Sequence, residues 1–444
     1  MSLLMDLTGD LAREALRIVQ TLSGKGHTAY FAGGCVRDAL RGTVPSDFDI
    51  ATTATPDEVE ALFPKTVSVG RQFGVMLVLS ESMTFEVATF RKEGGYVDGR
   101  HPTEVAFTVP QQDALRRDFT VNGLFYDPQS GEVIDFVGGR ADLERRLIRA
   151  IGDPGQRFTE DKLRILRAVR FAATLHFEIE AATWQTVRAM AGEVQTVSPE
   201  RIRDEISKMI TRPGAGRGLE LLLDSGLLRI LLPELEALRG VSQQEAFHPE
   251  GDVWEHTRLL VDRLHHPSLV LAWSALLHDI GKPRTFAVRN DKITFYEHAP
   301  VGGKIAREIM MRLRFSNDEI EQVATCIDQH MAFADVRKMR SGKLKRMLAR
   351  STFPEELELH RADCEASHGM MENFDFLREK MKEYAAEDLK PKPFVNGHDL
   401  QTLGMKPGPP MKPLLEELYD LQLEGALKSR EEALEFAARR LSGS

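Results

Sequence analysis

Hydrophobic and polar positions follow a β-type pattern in the N-terminal part of this chain of 444 residues. From residue 29 to residue 136, short apolar runs alternate with polar residues and are separated by Gly and Pro, which predicts a small mixed sheet. The expected strands are 29–32, 48–51, 75–79, 84–90 and 133–136. Apolar residues at helical spacing in 10–22 and 56–62 add two helices. This head is therefore predicted to be α+β.

The pattern changes to the helical period after Gly152 and keeps it almost throughout, which predicts an extended all-α body. The expected helices include 160–173, 181–191, 199–210 and 218–225. Breaks in the helical pattern, which we take as candidate boundaries, fall at 211–216, 239–251, 389–397 and 404–413. We therefore predict four domains, at residues 1–150, 151–240, 241–385 and 386–444, the last of them a helical tail.

Composition narrows the classes of protein to which the chain can belong. With 42% hydrophobic and 28% charged residues, it is expected to be globular. The longest apolar stretch, residues 269–277, is far shorter than the ~18 residues of a membrane helix, and the early acidic residues argue against an export signal. A cytoplasmic protein without a membrane span is expected. The cysteines are too widely spaced for a disulfide framework or a thiolate zinc site: Cys35, Cys326 and Cys364.

Charge is distributed unevenly. The net charge of -9 argues against indiscriminate binding to nucleic acid. Nevertheless, residues 145–170 hold eight basic residues against three acids, and residues 337–350 hold seven with no acid. Such runs are more often solvated helix faces than binding sites, so only catalytic motifs can favour a nucleic-acid partner.

An acid pair at the start of the predicted second strand is the first feature that points to chemistry. Residues two apart in a strand share a face, so Asp47 and Asp49 can share a pair of Mg²⁺ ions while Phe48 points into the core. Such ions can activate an attacking hydroxyl and neutralise a leaving pyrophosphate. Upstream, Gly33 and Gly34 would let backbone amides approach a triphosphate. A D-x-D pair alone is as often a turn or a solvated pair.

Further groups could complete a nucleotide site. Glu86 on the neighbouring predicted strand is either a third carboxylate or an exposed residue of an alternating strand. The run from Arg116 to Gly123 reads R-R-D-F-T-V-N-G. Its arginines can grip phosphates bidentately, while Asp118 and Asn122 can bond ribose hydroxyls or order the arginines. Read alone, the run is equally consistent with a capped surface helix.

The string E-D-K-L-R begins the predicted helix at residue 160. Asp161 and Arg164 lie three apart, so on one helix they share a face and can offer an acceptor and donors to a base edge. Glu160 can then hold the guanidinium of Arg164 in place. The alternative is an acidic helix N-terminus favoured by the helix dipole, together with an i, i+3 ion pair.

In this order, G-G-x-V-R-D, D-x-D, R-R-D-F-T-x-N and E-D-x-x-R resemble the motifs of the class II tRNA nucleotidyltransferase and bacterial poly(A) polymerase family. The resemblance is close from residue 30 to 171 and looser beyond. It implies a catalytic nucleotidyltransferase head over 1–150 and a neck over 151–240 that reads the incoming base, while residues 92–102 resemble the family's flexible loop. The implied nucleotide-binding residues are Gly33, Gly34, Arg37, Arg116, Arg117, Asp118, Asn122, Glu160, Asp161, Arg164 and Arg167.

A second set of motifs lies in the helical half. W-E-H-T, L-L-H-D-I-G-K-P, Y-E-H-A (His298), His330 and R-A-D-C resemble the HD phosphohydrolase superfamily, in which His, His-Asp and a distant Asp ligate a divalent metal. The resemblance implies an HD-type domain over 241–385 and a transition metal, because imidazole and carboxylate ligands suit Mn, Ni, Co or Fe better than Ca. Chance spacing among thirteen histidines, or loss of the metal, is the alternative. The implied metal ligands are His256, His278, Asp279 and Asp363.

The resemblance to the first family implies template-independent addition of C and A (CCA) to tRNA 3′ ends from CTP and ATP, with Mg²⁺ held by Asp47 and Asp49. Residues 69–75 read V-G-R-Q-F-G-V, closer to poly(A) polymerases, so poly(A), CC-only or A-only addition stays open. The absence of a long basic tail favours tRNA. A hypothesis of another class is a metal-dependent HD phosphohydrolase with a nucleotide-sensing head. The residues expected to hold an RNA backbone are Arg145, Arg146, Arg170, Arg337, Lys343 and Lys345.

Overall fold

The computed structural model describes residues 5–80, 83–96, 102–244, 249, 251–384 and 389–442. The chain divides into two compact units, one comprising Met1–Met209 and Pro213–Pro233, the other Ile210–Arg212 and Glu234–Ser444. The strands are β1 (Ala29–Ala32), β2 (Asp49–Thr52), β3 (Thr66–Gly70), β4 (Val75–Ser80), β5 (Met83–Thr89), β6 (Arg91–Tyr96), β7 (Pro102–Phe107), β8 (Leu124–Asp127), β9 (Glu132–Asp135), β10 (Leu147–Ile148), β11 (Glu178–Ile179), β12 (Ala287–Arg289) and β13 (Lys292–Thr294).

A seven-stranded mixed sheet forms the centre of the first unit, which confirms the predicted mixed-sheet head. Its strand order is β3-β4-β5-β2-β1-β8-β9. Strands β2 and β5 are parallel, and the other neighbours in the sheet are antiparallel. Strands β6 and β7 form a separate antiparallel hairpin, and β10 pairs with β11 in parallel.

The helices of the first unit bury apolar stripes, as their sequence periodicity predicts. In α1, Ile18 and Leu22 are buried in the same core as Phe31 of β1. Helix α3 begins with a capping box, in which Thr55 and Glu58 satisfy each other's backbone amides. The helices are α1 (Asp10–Ser23), α2 (Gly34–Leu40), α3 (Pro56–Leu62), α4 (Pro110–Arg116), α5 (Gly139–Glu144), α6 (Pro154–Glu160), α7 (Leu163–Leu175), α8 (Ala181–Ala189), α9 (Pro199–Ile210), α10 (Ala215–Asp224) and α11 (Leu227–Leu231).

The structure corrects the sequence prediction at two points of this unit. A single helix over 160–173 is wrong, because α6 ends at Glu160 and Asp161 is extended, with φ −144° and ψ 105°, before α7 begins at Leu163. The Asp161 carboxylate instead accepts the backbone N–H of Leu163 at 3.1 Å. A loop over 92–102 is also wrong in part, since its ends belong to strands β6 and β7. Residues 97–101 of that prediction lie outside the described residues.

The second unit is mainly helical, which confirms the predicted helical body, although β12 and β13 add a small antiparallel hairpin. Trp273 is fully buried and packs edge-on against Phe315, with ring centroids 5.1 Å apart. No described helix has the length and apolar character needed to cross a membrane. The helices from residue 233 onward are α12 (Pro233–Glu236), α13 (Val253–Asp262), α14 (Leu269–Leu277), α15 (Lys282–Thr285), α16 (His298–Arg312), α17 (Asn317–Gln329), α18 (Ser341–Leu348), α19 (Phe353–Ala366), α20 (Glu372–Glu383), α21 (Gly397–Thr402), α22 (Met411–Leu423) and α23 (Arg430–Ser442).

Candidate active site and buried metal-ligand cluster

Three carboxylates lie on adjacent strands of the head. Asp49 and Glu86 each directly precede the paired residues Ile50 and Val87 of the parallel strands β2 and β5, so they are neighbours. Asp47 lies two residues before Asp49. Desolvation raises the pKa of Asp49 to about 6, and the charges of Glu86 and Asp47 add to the rise. Carboxylates that repel one another in this way fit a site for divalent cations, which bind carboxylate oxygens.

The acid pair faces away from the core, as the strand pattern predicts. Phe48 is 4% exposed and packs edge-on against Phe31, with ring centroids 5.1 Å apart. Asp47, Asp49 and Glu86 all keep side-chain surface exposed to solvent, although protein atoms around the Asp49 carboxyl group desolvate it enough to raise its pKa. Among the described residues, groups of three or more possible ligands whose ligating atoms all lie within 4.8 Å of one another occur only in the second unit. The three carboxylates of the head do not form such a group.

The glycine pair differs from its predicted role. Gly33 has φ +69°, and a Cβ there would lie 2.9 Å from Nη1 of Arg117, so the position requires glycine. Its amide donates to the Leu124 carbonyl at 2.9 Å, inside the sheet, and is therefore not directed at a triphosphate. Gly34 begins α2. The sheet needs the Gly33 amide, and the glycine gives Arg117 its close approach.

Arg37 also differs from a phosphate ligand, because it is buried and its donors serve protein acceptors. Its Nη1 donates to Oδ1 of Asn122 at 2.7 Å, and its Nε and Nη2 donate to the Asp38 carboxylate, each at 2.9 Å. The amide Nδ2 of Asn122 in turn donates to Asp118 at 3.1 Å. Asn122 and Asp118 therefore order the arginines, which is one of the two roles that the sequence allows.

A buried carboxylate that the sequence prediction missed aims the arginine pair. Asp113 is 1% exposed and accepts from Nη2 of Arg116 at 2.7 Å and from Nε of Arg117 at 3.2 Å. Desolvation would raise its pKa, but the two guanidinium charges outweigh it and the pKa is lowered. The sequence did contain a signal for this contact, because Asp113 precedes Arg116 by three residues and Arg117 by four, a spacing at which side chains meet on a helix. Each arginine side chain stays 19% exposed.

The start of α7 holds the predicted base-reading residues in an arrangement different from the expected one. Arg164 donates through Nη1 to Glu160 at 2.6 Å, as expected, and through Nη2 to the Arg116 carbonyl at 3.0 Å. Asp161 does not share a helix face with Arg164, because it lies in the break before α7. Its Oδ2 accepts from Nη2 of Arg201 at 2.7 Å. Arg201, on α9, is a further residue that the sequence prediction missed.

Arg167 connects α7 to the nucleotide-binding motif. Its Nε and Nη2 donate to Oδ2 of Asp118 at 2.8 and 2.6 Å. Burial alone would raise the pKa of Asp118, but the charge of Arg167 and the hydrogen bond from Asn122 lower it to about 2. The pair therefore stays ionised and fixes α7 to the Arg116–Asn122 segment.

The second unit contains a cluster of buried histidines and carboxylates around Asp279. Nε2 of His278 lies 3.1 Å and Nε2 of His256 lies 3.9 Å from Asp279 Oδ2, while Nε2 of His298 lies 3.5 Å from Oδ1. His256 Nε2 also lies 3.0 Å from Asp363. The predicted ligands are thus brought together, although they come from α13, α19 and the segment after α14.

Two more histidines join this cluster, so that two possible metal groups share Asp279. One consists of His256, His278 and Asp279, and the other of Asp279, His298 and His330. Nδ1 of His278, His298 and His330 lies 2.6 to 2.9 Å from the carbonyl oxygen three residues earlier. A carbonyl only accepts, so Nδ1 carries the hydrogen and Nε2 presents a lone pair to the cluster.

The protonation states of the cluster also fit a metal ion. Burial, followed by neighbouring histidines, lowers the pKa of His330 to about 3, and burial lowers that of His298. Burial would raise the pKa of Asp279, but the interactions with His278 and with the Lys282 ammonium hold it well below its usual value. Neutral imidazoles and ionised carboxylates are the forms that ligate metals.

Three family models match the chain: Poly A polymerase head domain at residues 29–149, Probable RNA and SrmB-binding site of polymerase A at 176–238, and HD domain at 251–366. The CCA-adding enzyme of Anoxybacillus flavithermus is 31% identical over 428 residues, covering 95% of each chain. That of Lactobacillus johnsonii is 32% identical over 429 residues, with the same coverage. The chain belongs to the CCA-adding enzyme family.

Other members of the CCA-adding enzyme family agree with this assignment. The enzyme of Bacillus pumilus is 40% identical over 275 residues, which are 62% of this chain and 65% of that protein. The crystal structure of the Bacillus stearothermophilus CCA-adding enzyme in complex with CTP is 27% identical, with a TM-score of 0.75, and the match covers 98% of this chain and 99% of that one. Nucleotidyltransferase and HD domains generally need divalent metals, for which the cluster offers possible ligands.

Some of the expected RNA contacts differ in this CCA-adding enzyme family member. Arg170 is wrong as an RNA contact, because it is 6% exposed, is ion-paired with Glu205 and lies 3.9 Å from the centre of the Phe171 ring. Lys345 donates to the Leu423 carbonyl at 3.1 Å, at the end of α22, and is thus engaged within the unit. The remaining predicted contacts are exposed: Arg145, Arg146, Arg337 and Lys343.

Proposed function

We propose that this chain builds or repairs the CCA end of tRNA from CTP and ATP, with Asp47, Asp49 and Glu86 holding Mg²⁺. The juxtaposition of Asp49 and Glu86 on adjacent strands, with Asp47 two residues away, carries the proposal. Membership of the CCA-adding enzyme family supports the substrates. Bound Mg²⁺ would supply Lewis-acid activation of the RNA 3′-hydroxyl and neutralisation of the leaving pyrophosphate.

The protein groups around the acids position the nucleotide. Arg116 and Arg117, aimed by Asp113, are placed to steady the triphosphate, since each guanidinium keeps part of its surface exposed. Arg37 does not contact the nucleotide in this proposal; it positions the binding segment by donating to Asn122. This division assigns phosphate contact to the arginine pair and positioning to the buried residues around it.

Base selection is assigned to the start of α7. The Arg164 guanidinium is fixed by Glu160 and by the Arg116 carbonyl, so its position depends on the triphosphate-binding segment. Asp161 is fixed separately by Arg201. We propose that these two groups present donors and an acceptor to the base edge from two different elements instead of one helix face.

The product is proposed to be CCA rather than poly(A), CC or A alone. The G-R-Q-F stretch, which resembles poly(A) polymerases, has a local structural explanation: Arg71 pairs with Asp57 and Glu60 of α3. Membership of the CCA-adding enzyme family is the observation that favours CCA as the product. The division at 1–150, 151–240, 241–385 and 386–444, and a cytoplasmic location, stay predictions that accompany this proposal.

The test is incubation of the protein and Mg²⁺ with tRNA transcripts lacking A, CA or CCA, supplied with CTP, ATP or both. Stepwise completion to CCA, lost in Asp47→Ala/Asp49→Ala, is expected. Addition of C alone or A alone would identify a partial adding enzyme, and long A tails a poly(A) polymerase. The absence of any incorporation would refute the proposal. Asp57→Asn, on the exposed side of α3, is the matched control.

A second candidate activity is metal-dependent phosphoester hydrolysis in the second unit. The observation in its favour is the buried cluster of His256, His278, Asp279, His298 and His330, in which the last two histidines and His278 turn Nε2 lone pairs inward. We expect Mn²⁺, Co²⁺ or Ni²⁺ to bind there and to support hydrolysis of a 2′,3′-cyclic phosphate. Hydrolysis should survive Asp47→Ala/Asp49→Ala and be lost in His278→Ala, whereas loss in both would place it in the head.

A further inference from the structure

A buried glutamine next to the metal-ligand cluster has a donor group without a protein acceptor. Gln243 is 4% exposed, and its Nε2 has no hydrogen-bond partner among the described residues. Its Oε1 accepts from Nζ of Lys282 at 2.5 Å. A buried amide donor that lacks an acceptor destabilises the folded state, so the position favours a ligand that accepts a hydrogen bond.

The orientation of this amide follows from its neighbour. An ammonium group only donates, so the atom of Gln243 facing Lys282 must be the oxygen, and Nε2 must point elsewhere. Backbone contacts hold the residue in place. The backbone N–H of Gln243 donates to the Gly251 carbonyl at 2.9 Å, and Ser242 forms a β-bridge with Asp252. The unused donor is therefore fixed in position and orientation.

Lys282 connects this amide to the cluster. Its Nζ lies 2.7 Å from Asp279 Oδ2, and its side chain is 7% exposed. An ammonium has three N–H donors; the Lys282 ammonium donates one to Oε1 of Gln243 and forms an ion pair with Asp279. The Lys282 ammonium thus contacts both the Gln243 side chain and a carboxylate that both metal groups share, and it brings a positive charge to that carboxylate.

We infer that Gln243 and Lys282 form the binding site for a phosphate oxygen of the substrate hydrolysed at this cluster. The inference rests on the proposed second activity. The site has the chemistry of an anion-binding site, because it offers several hydrogen-bond donors and one cation, all buried beside the metal ligands. These groups match a phosphoryl group whose other oxygens face the metal. Gln243 contacts the substrate, and Lys282 both contacts it and orients the Gln243 amide.

The test measures binding of inorganic phosphate to the full-length chain by calorimetry, with and without Co²⁺. The metal content of every sample is determined by elemental analysis. Gln243→Met removes the donors at similar size and should weaken phosphate binding about tenfold or more, without changing the metal content. Gln243→Glu keeps the contact with Lys282 and should weaken it at least as much. Gln422→Met is the matched control, because both ends of that amide bind backbone groups of the same unit.

The outcomes separate the two proposals. Unchanged phosphate affinity in a folded Gln243→Met protein with normal metal content would overturn the inference and leave the metal centre intact. A wild-type chain that binds Co²⁺ but no phosphate would do the same. A chain that binds no metal would overturn the hydrolytic function, while phosphate binding that still depends on Gln243 would support the anion site. If Gln243→Met does not fold, Gln243→Glu decides.

Discussion

The ion pair between Asp118 and Arg167 should be a major contributor to the stability of the first unit. In Asp118→Asn, a neutral amide replaces the negatively charged carboxylate to which Nε and Nη2 of Arg167 donate. The side chain is 8% exposed, so solvent screens this interaction little. We therefore expect a large loss in the free energy of unfolding.

The magnitude follows from the pKa. Burial opposes ionisation of Asp118, yet Arg167 and Asn122 lower its pKa from 3.8 to about 2. At about 1.4 kcal/mol per pKa unit, the carboxylate contributes about 2 kcal/mol at neutral pH. Asp118→Asn also takes from the partly buried Arg167 its bidentate partner and leaves Glu205 at 3.7 Å, so the expected loss is about 2 to 4 kcal/mol.

The pH dependence has a definite sign. Because the folded pKa is depressed, the contribution is fully present above the unfolded value of 3.8 and is lost as the pH falls through about 2. The difference between wild type and Asp118→Asn, measured by urea unfolding in EDTA, should therefore be about 1 kcal/mol smaller at pH 3 than at pH 7.

The matched control is Asp335→Asn. Its partner is Lys338 at 3.1 Å, but the two side chains are 73% and 85% exposed. Such a surface pair should cost less than ~1 kcal/mol. The reasoning is refuted if the two variants lose the same stability, or if the loss in Asp118→Asn does not depend on pH.

Three further results are expected. Asp113→Asn should raise the KM for CTP and ATP about tenfold because it releases the arginine pair, and an unchanged KM would remove Asp113 from nucleotide positioning. Arg201→Met should lower discrimination against GTP and UTP, measured as the ratio of kcat/KM values, because Asp161 loses its fixed position; equal ratios would contradict the assignment. Arg146→Met should weaken tRNA binding, measured by filter binding, and reduce the salt dependence of that binding. Arg170→Met should instead lower the free energy of unfolding by about 3 kcal/mol, measured by urea unfolding.

Local patterns determined much of this protein. The i, i+2 spacing of Asp47 and Asp49 was enough to predict that both face away from the core, because side chains alternate in any strand. The spacing of apolar residues predicted the bounds of α3 correctly, and the capping box of Thr55 and Glu58 at its start depends on neighbouring residues alone. The motif order identified the family and the HD domain.

Tertiary structure decided the partners of the charged groups. The sequence could not show that Arg170 meets Glu205, that Asp161 meets Arg201, or that Arg37 meets Asn122, because these contacts join elements distant along the chain. An arginine in a basic run looks the same whether it faces solvent or a buried acid.

The helix break at Asp161 shows the same limit. Periodicity predicted one helix through this residue, but its carboxylate satisfies the Leu163 amide and pairs with Arg201, and these contacts stabilise an extended residue. Likewise, the sequence supplied the histidines of the second unit, whereas only packing turned their Nε2 atoms together around Asp279 and placed Gln243 beside Lys282. Sequence thus determined which groups are available, and tertiary packing determined which of them are already paired, because pairing depends on distances that the order of residues does not contain.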